Sequence, residues 1–225
     1  MATFIYCPVM TGEMAFLARK WNEGRAAIGK PPHLVIGAAD SGRTKALRRA
    51  FVGGDLGAVA ADDKLYLLAH GYWNAGEGAV VVGARRGDFQ TGGSLQGYTL
   101  TGGADKIYTP DQLARHLDKE GLRKDFVDLR LFCCGTGLDA VSQVHGPLAP
   151  YAQRLRLAMA ARGHDRVAVT GYLGSVSASH DDRPEAGVIS LYGAAFLGRH
   201  KGVVLPGDRY ATRASDHRVR LPPED

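Results

Sequence analysis

Two apolar runs in this chain end on residues able to do nucleophilic chemistry. Lys64–Ala69 stops at His70-Gly71, and Asp128–Phe132 stops at Cys133-Cys134-Gly135. A cysteine attacks as its thiolate, and an unassisted thiol with a pKa near ~8.5 is mostly protonated at neutral pH, so a reactive one needs an imidazole or a helix N-terminus beside it. If both runs are strands of one parallel sheet, His70 and a cysteine emerge at its carboxyl edge, where open α/β proteins bind ligands. Cys133 and Cys134 are consecutive, so their side chains point to opposite faces of the sheet and only one can meet His70. Cys134 is the candidate, because it borders the turn Gly135-Thr136-Gly137. That turn can aim amide N–H groups at an anion developing on a bound carbonyl, and Gly71 suits the same task because a side chain there would crowd the substrate.

The elements that must position these residues alternate between strand and helix. Thr3–Val9 reads as an opening strand, and Gly12–Ala27 carries Met14, Leu17, Ala18 and Trp21 at helical spacing. His33–Ala38 is a short strand before Ala39-Asp40-Ser41-Gly42, and a basic helix is predicted from Thr44 to Phe51. Lys64–Ala69 is the near-continuous apolar run of a strand covered on both faces. The Gly-rich stretch Gly76–Gly103, with a β-run at Ala79–Gly83 and turn signals at Gly87-Asp88 and Gly92-Gly93, reads as a hairpin or flap. Thr109-Pro110-Asp111 is an N-cap with proline at the first helical position, opening a helix through Lys119 that Gly121 stops. Further helices are predicted at Pro150–Arg162, ended by Gly163, and at Gly187–Leu197. Between them lie a buried strand, Arg166–Thr170, and the small polar segment Gly171–Ser179. This order predicts a three-layer α/β/α sandwich with a mostly parallel central sheet. One domain is expected over residues 1–209, followed by a loosely held polar C-terminal tail, 210–225.

Composition narrows the classes. With 225 residues, 45% hydrophobic and 23% charged, the chain is neither disordered nor fibrous. It also has no run near the ~18 apolar residues of a membrane span. Met1–Met10 lacks a basic n-region and a small-residue cleavage site, which predicts a cytoplasmic protein or one exported without a cleavable signal. Three cysteines, two of them adjacent, argue against a disulfide framework and a metal cage, and no cofactor is expected. Cys7 reads as core. His33, His116, His145, His164, His180, His200 and His217 read as loop or polar-face residues without partners at ligand spacing. A net charge of +5 permits an anionic partner, but the basic residues scatter and no nucleic-acid motif or membrane segment accompanies them. Neither Gly37–Gly42 nor Gly53–Gly57 has the spacing of a phosphate cradle.

One strand closing in His-Gly (Leu65-Tyr66-Leu67-Leu68-Ala69-His70-Gly71) and a later one closing in a small residue plus Cys (Leu129-Arg130-Leu131-Phe132-Cys133-Cys134) resemble the caspase-like cysteine peptidases. That group also contains separases, clostripain, gingipains and the self-cleaving protease domains of large bacterial toxins. The resemblance covers roughly residues 60 to 180 and implies a caspase-like fold and a cysteine endopeptidase, self-processing or a bacterial effector. Cys134 would be the nucleophile, with Cys133 where Ala or Gly usually sits. His70 would act as base or as acid to the leaving amine, with the N–H groups of Gly71 and Cys134 as oxyanion donors. Cys134 follows His70 by 64 residues, against ~50 for caspases, and the flap can absorb the difference. Against the caspase signature Gln-Ala-Cys-[Arg/Gln/Gly]-Gly the chain matches at Cys134 and Gly135 alone, so aspartate specificity is not implied.

A polypeptide substrate would lie across the strand ends, with Trp73, Gly174 and Ser175 among the residues that meet it. The flap and Gly171–His180 would form the pocket for the side chain before the cut, with Asp181-Asp182 favouring a basic residue there and Arg183 an acidic one. Asp40 is a candidate to orient His70, although the family often works as a dyad. The toxin relatives are triggered by inositol hexakisphosphate, so the basic excess permits an anionic activator. Two other readings use the same residues: a catalytically inactive interaction module, and a different Cys-His acyl-transfer enzyme.

Overall fold

The computed structural model describes residues 1–10, 12–37, 54–72, 80–84, 106–142, 146–177, 201–208 and 211–223. In chain order the strands are β1 (Thr3–Tyr6), β2 (Leu34–Ile36), β3 (Lys64–Leu68), β4 (His70–Tyr72), β5 (Val80–Ala84), β6 (Lys106–Tyr108) and β7 (Asp128–Phe132). They continue with β8 (Ala140–Ser142), β9 (Gly146–Leu148), β10 (Ala168–Tyr172), β11 (Ser175–Ser177), β12 (Gly202–Val204), β13 (Ala211–Arg213) and β14 (Arg218–Leu221). The helices among the described residues are α1 (Gly12–Ala27), α2 (Pro110–Lys119) and α3 (Tyr151–Ala160). Six strands form the central sheet in the order β14-β10-β7-β3-β1-β2. All neighbours in it are parallel except β10 and β14, so the sheet is mixed and mostly parallel.

Connectivity explains the layers. From β1 the chain passes through α1 to β2 on one flank. It then returns to the other flank at β3, and β7 and β10 add outward from there. Right-handed crossovers leading in opposite directions along a sheet put their helices on opposite faces. Accordingly α1 packs Met14, Ala18 and Trp21 against Ile5, Tyr66, Leu68 and Phe132. The helices α2 and α3 pack Leu113, Leu117, Tyr151 and Leu155 against Phe4, Leu65, Leu67, Leu129 and Leu131. Together they make a three-layer α/β/α sandwich.

Local chemistry sets the helix ends. The Thr109 hydroxyl accepts from the Gln112 N–H while the Gln112 side chain accepts from the Thr109 N–H, a reciprocal cap with Pro110 in the first turn. Past that helix Gly121 takes φ +84°, the left-handed turn that glycine tolerates.

Several expectations need correction. Residues 211–221 are not a loose tail: β13 joins a small sheet and β14 closes the edge of the central one beside β10. Arg218-Val219-Arg220-Leu221 alternates charge and apolar side chain with the period of a half-buried strand, and its high charge hides that period. The helix predicted at Pro150–Arg162 is α3, Tyr151–Ala160, and an unanticipated hairpin, β8–β9, precedes it. The strand predicted at Arg166–Thr170 is β10, Ala168–Tyr172, and β11 lies within the small polar segment that follows it. His33 and His164 lie in loops as expected but are buried there, and His116 is on the buried face of α2, not a polar one. His116 Nε2 shares a 2.7 Å hydrogen bond with the Tyr6 hydroxyl, and His33 sits edge-on to Trp21. The predicted helices Thr44–Phe51 and Gly187–Leu197, and most of the flap, lie outside the described residues; of the flap, β5 is described, paired antiparallel with β4.

Candidate active site

The register of one ladder brings the two chemistry-bearing residues together. β3 and β7 pair from Lys64↔Asp128 to Leu68↔Phe132, a constant offset of 64 residues. Two residues further along, the same offset joins His70 to Cys134. Paired residues in a parallel ladder direct their side chains to the same face, and alternate residues to opposite faces. Leu65, Leu67 and Ala69, like Leu129, Leu131 and Cys133, belong to the core under α2 and α3. Tyr66, Leu68 and Phe132 face α1. His70 and Cys134 continue that second series, and both line one cavity of about 120 Å³ with Met14 and Leu17 of α1, Phe132, Val176 and Ser177. Gly71 keeps the strand ends in contact: a Cβ there would run into the backbone nitrogen and carbonyl of Cys134.

An unanticipated carboxylate completes the cluster. Glu13, in the first turn of α1, holds its Oε2 2.8 Å from His70 Nε2, with both side chains mostly buried. Topology explains the meeting. β1 and β3 are neighbours whose connections leave toward opposite faces, so their carboxyl ends flank the crevice where open α/β sheets place ligands. A residue just after β1 and one just after β3 must converge there. The sequence carries this signal, an acid at the start of the helix that follows the first strand, but only the strand order gives it meaning. Asp40 lies outside the described residues.

Cys133 and Cys134 differ as alternation requires. Cys133 is fully buried and donates its S–H toward the Leu67 carbonyl at 3.6 Å. Cys134 is partly exposed and donates toward the Val176 carbonyl at 4.0 Å. Burial pushes the Cys134 thiol above its ordinary pKa. Hydrogen bonds from the Val176 backbone, the Ser175 hydroxyl and the backbones of Cys134 and Gly71 oppose that rise. Those groups therefore favour the thiolate once it forms. Among the described contacts, Nε2 of His70 goes to Glu13 and the sulfur goes to β11, and none joins the two directly.

The turn after Cys134 is a structural joint rather than a set of open donors. Gly135 N–H is taken by the Gly174 carbonyl and Gly137 N–H by that of Tyr172, both at 2.9 Å. The Thr136 hydroxyl donates to the Cys133 carbonyl at 3.1 Å. Gly174, expected to meet substrate, is buried with its Cα against the Val204 carbonyl. Ser175 lies beside the thiol and is exposed. Trp73, Asp181, Asp182 and Arg183 lie outside the described residues. Among the described residues no group of three or more His, Cys, Asp and Glu could hold a metal ion, and no helix is long and apolar enough to cross a membrane. No family model, curated protein or solved structure matches this chain.

Proposed function

We propose that the protein is a cysteine endopeptidase of caspase-like architecture, with Cys134 as nucleophile, His70 as proton carrier and Glu13 as the residue that orients His70. The observation that carries this reading is the shared cavity: a thiol and an imidazole, each just past the end of one of two neighbouring parallel strands, line the same space. The 2.8 Å contact with Glu13 supports it, because a carboxylate on Nε2 fixes the ring and leaves proton exchange with the thiol to Nδ1.

The steps follow from these groups. With a peptide across the strand ends, the thiol proton passes to His70 and the sulfur attacks the scissile carbonyl, whose oxyanion is met by the N–H groups of Gly71 and Cys134. The imidazolium returns its proton to the leaving amine as the C–N bond breaks, leaving a thioester. Water then adds as it gives a proton to His70, and the C–S bond breaks with reprotonation of the sulfur. Burial pushes the Cys134 thiol up, so its ionisation accompanies proton transfer to His70.

Incubating the wild type, Cys134→Ala and His70→Ala with a diverse peptide library and sequencing the cut ends tests the reading. Cleavage by the wild type and none by Cys134→Ala is expected, with His70→Ala slower than wild type by at least about 100-fold. No cut ends from the wild type would reject it. In that case alkylation of Cys134 by iodoacetamide would point to another acyl-transfer chemistry, and inertness to an interaction module.

A further inference from the structure

A lysine outside the proposed catalytic group sits where it can hold that group in shape. Lys201, immediately before β12, extends its ammonium over three rings from three elements: Tyr66 of β3 at 4.0 Å, Trp21 of α1 at 4.7 Å and Phe132 of β7 at 5.4 Å from the ring centroids. The rings also pack on one another, with Trp21 4.4 Å from Phe132 and 4.9 Å from Tyr66. Burial, with the cations Arg130, Arg218, Arg25 and Lys64 around it, lowers the Lys201 pKa well below the usual lysine range, and the three ring faces offset part of that cost.

The strand behind this lysine reaches the thiol in two steps. β12 pairs with β11 through Ser175↔Val204, Val176↔Val203 and Ser177↔Gly202. β11 in turn supplies the Val176 carbonyl and the Ser175 hydroxyl beside Cys134, and Val176 and Ser177 line the cavity. The sheet formed by β11, β12 and β13 has only three residues per strand, too little to stand alone. It is fastened to the α1 face by Val203, Ala214 and this lysine, whose carbonyl also accepts the Ala214 N–H at 2.9 Å.

We propose that Lys201 is a positioning residue for the thiol: its ammonium, clasped by Trp21, Tyr66 and Phe132, pins β12 and through it β11 against the ends of β3 and β7, keeping Cys134 covered and hydrogen-bonded. Its consequence for peptide cleavage rests on the peptidase reading; its consequence for the thiol does not.

The test is the pH profile of Cys134 alkylation by iodoacetamide, read by peptide mass spectrometry, in wild type, Lys201→Met and Lys201→Arg. Burial is the largest influence on the thiol, so releasing β11 lowers its pKa and exposes it. The methionine variant is expected to react about tenfold faster at pH 8, because more of the thiol is ionised and exposed. Arginine keeps a cation over the rings and is expected to stay within about twofold of wild type. A folded methionine variant with the wild-type profile overturns the proposal, and so does an arginine variant as fast as methionine. If methionine prevents folding, Lys201→Gln removes the charge with a soluble side chain; a wild-type profile in that variant overturns the proposal and an accelerated one supports it. If the profiles shift as expected while wild type cuts no peptide, the positioning role stands and the peptidase reading fails.

Discussion

The two faces of the central sheet are built from alternate residues of the same strands, yet one is a sealed core and the other a site. Under α2 and α3, Leu65, Leu67, Leu129, Leu131 and Cys133 are buried, and the nearby Tyr6 hydroxyl meets His116, whose Nδ1 lies 4.0 Å from the buried Glu120 carboxylate. Under α1, the same strands present Tyr66, Phe132, His70 and Cys134, with the paired ions Asp128 and Arg130 and the ammonium of Lys201 among them. Among the described residues, one covering layer is two helices; the other is a single helix with a three-stranded sheet of short strands. On this second face the strand ends border a cavity. A strand thus assigns its residues to faces by parity, but the element laid on each face decides which becomes chemistry.

Exchanging the sulfur for oxygen on each face tests that contrast most strongly. Cys133→Ser puts a hydroxyl in the sealed core and is expected to cost about 1–3 kcal/mol in urea unfolding, while Cys134→Ser, partly exposed beside polar partners, costs less than about 0.5 kcal/mol. Equal losses would break the distinction between the faces.

A smaller effect is expected from Glu13→Gln, which keeps a hydrogen-bonding oxygen near His70 but removes the charge. Peptide cleavage should fall about tenfold, equivalent to ~1.4 kcal/mol, with the melting temperature unchanged. An unchanged rate would remove Glu13 from the proposed mechanism while leaving His70 and Cys134 in it.

The smallest effect concerns acid. Burial, with Arg25, Lys201 and Lys64 nearby, drives the His33 pKa down to about 3. The unfolded chain binds this proton near pH 6.5 and the folded one does not. Stability from keeping His33 neutral is therefore complete above pH 6.5 and declines as pH falls toward 3. By pH 5.5 the loss is about 1 kcal/mol. In thermal melts between pH 7 and 5, His33→Phe should show a shallower decline than wild type, and identical slopes would show that the α1 face tolerates the charge.

Much of the architecture was legible in residue patterns. The helix Gly12–Ala27 and the strand Asp128–Phe132 have the predicted limits, because apolar spacing and flanking turn residues act locally. The opposite orientation of Cys133 and Cys134 was equally legible, since it follows from strand geometry alone. The edge strand β14 was not, because its two arginines look like tail composition until a neighbouring β10 gives them a face. Glu13 was hidden for another reason. Its partner is 57 residues away in sequence, and only the strand order that sets β1 beside β3 brings the two together.

What residue types and periods determined by themselves was an alternating α/β chain with a histidine and a cysteine at two strand ends, on faces set by parity. The tertiary structure alone decided that those strands are neighbours with an offset equal to the His70–Cys134 spacing, that α1 delivers Glu13, and that Lys201 reaches the rings behind the site. The division has a physical cause. Alternation and capping are settled within a few residues of backbone, whereas register and crevice depend on which distant apolar faces bury one another best.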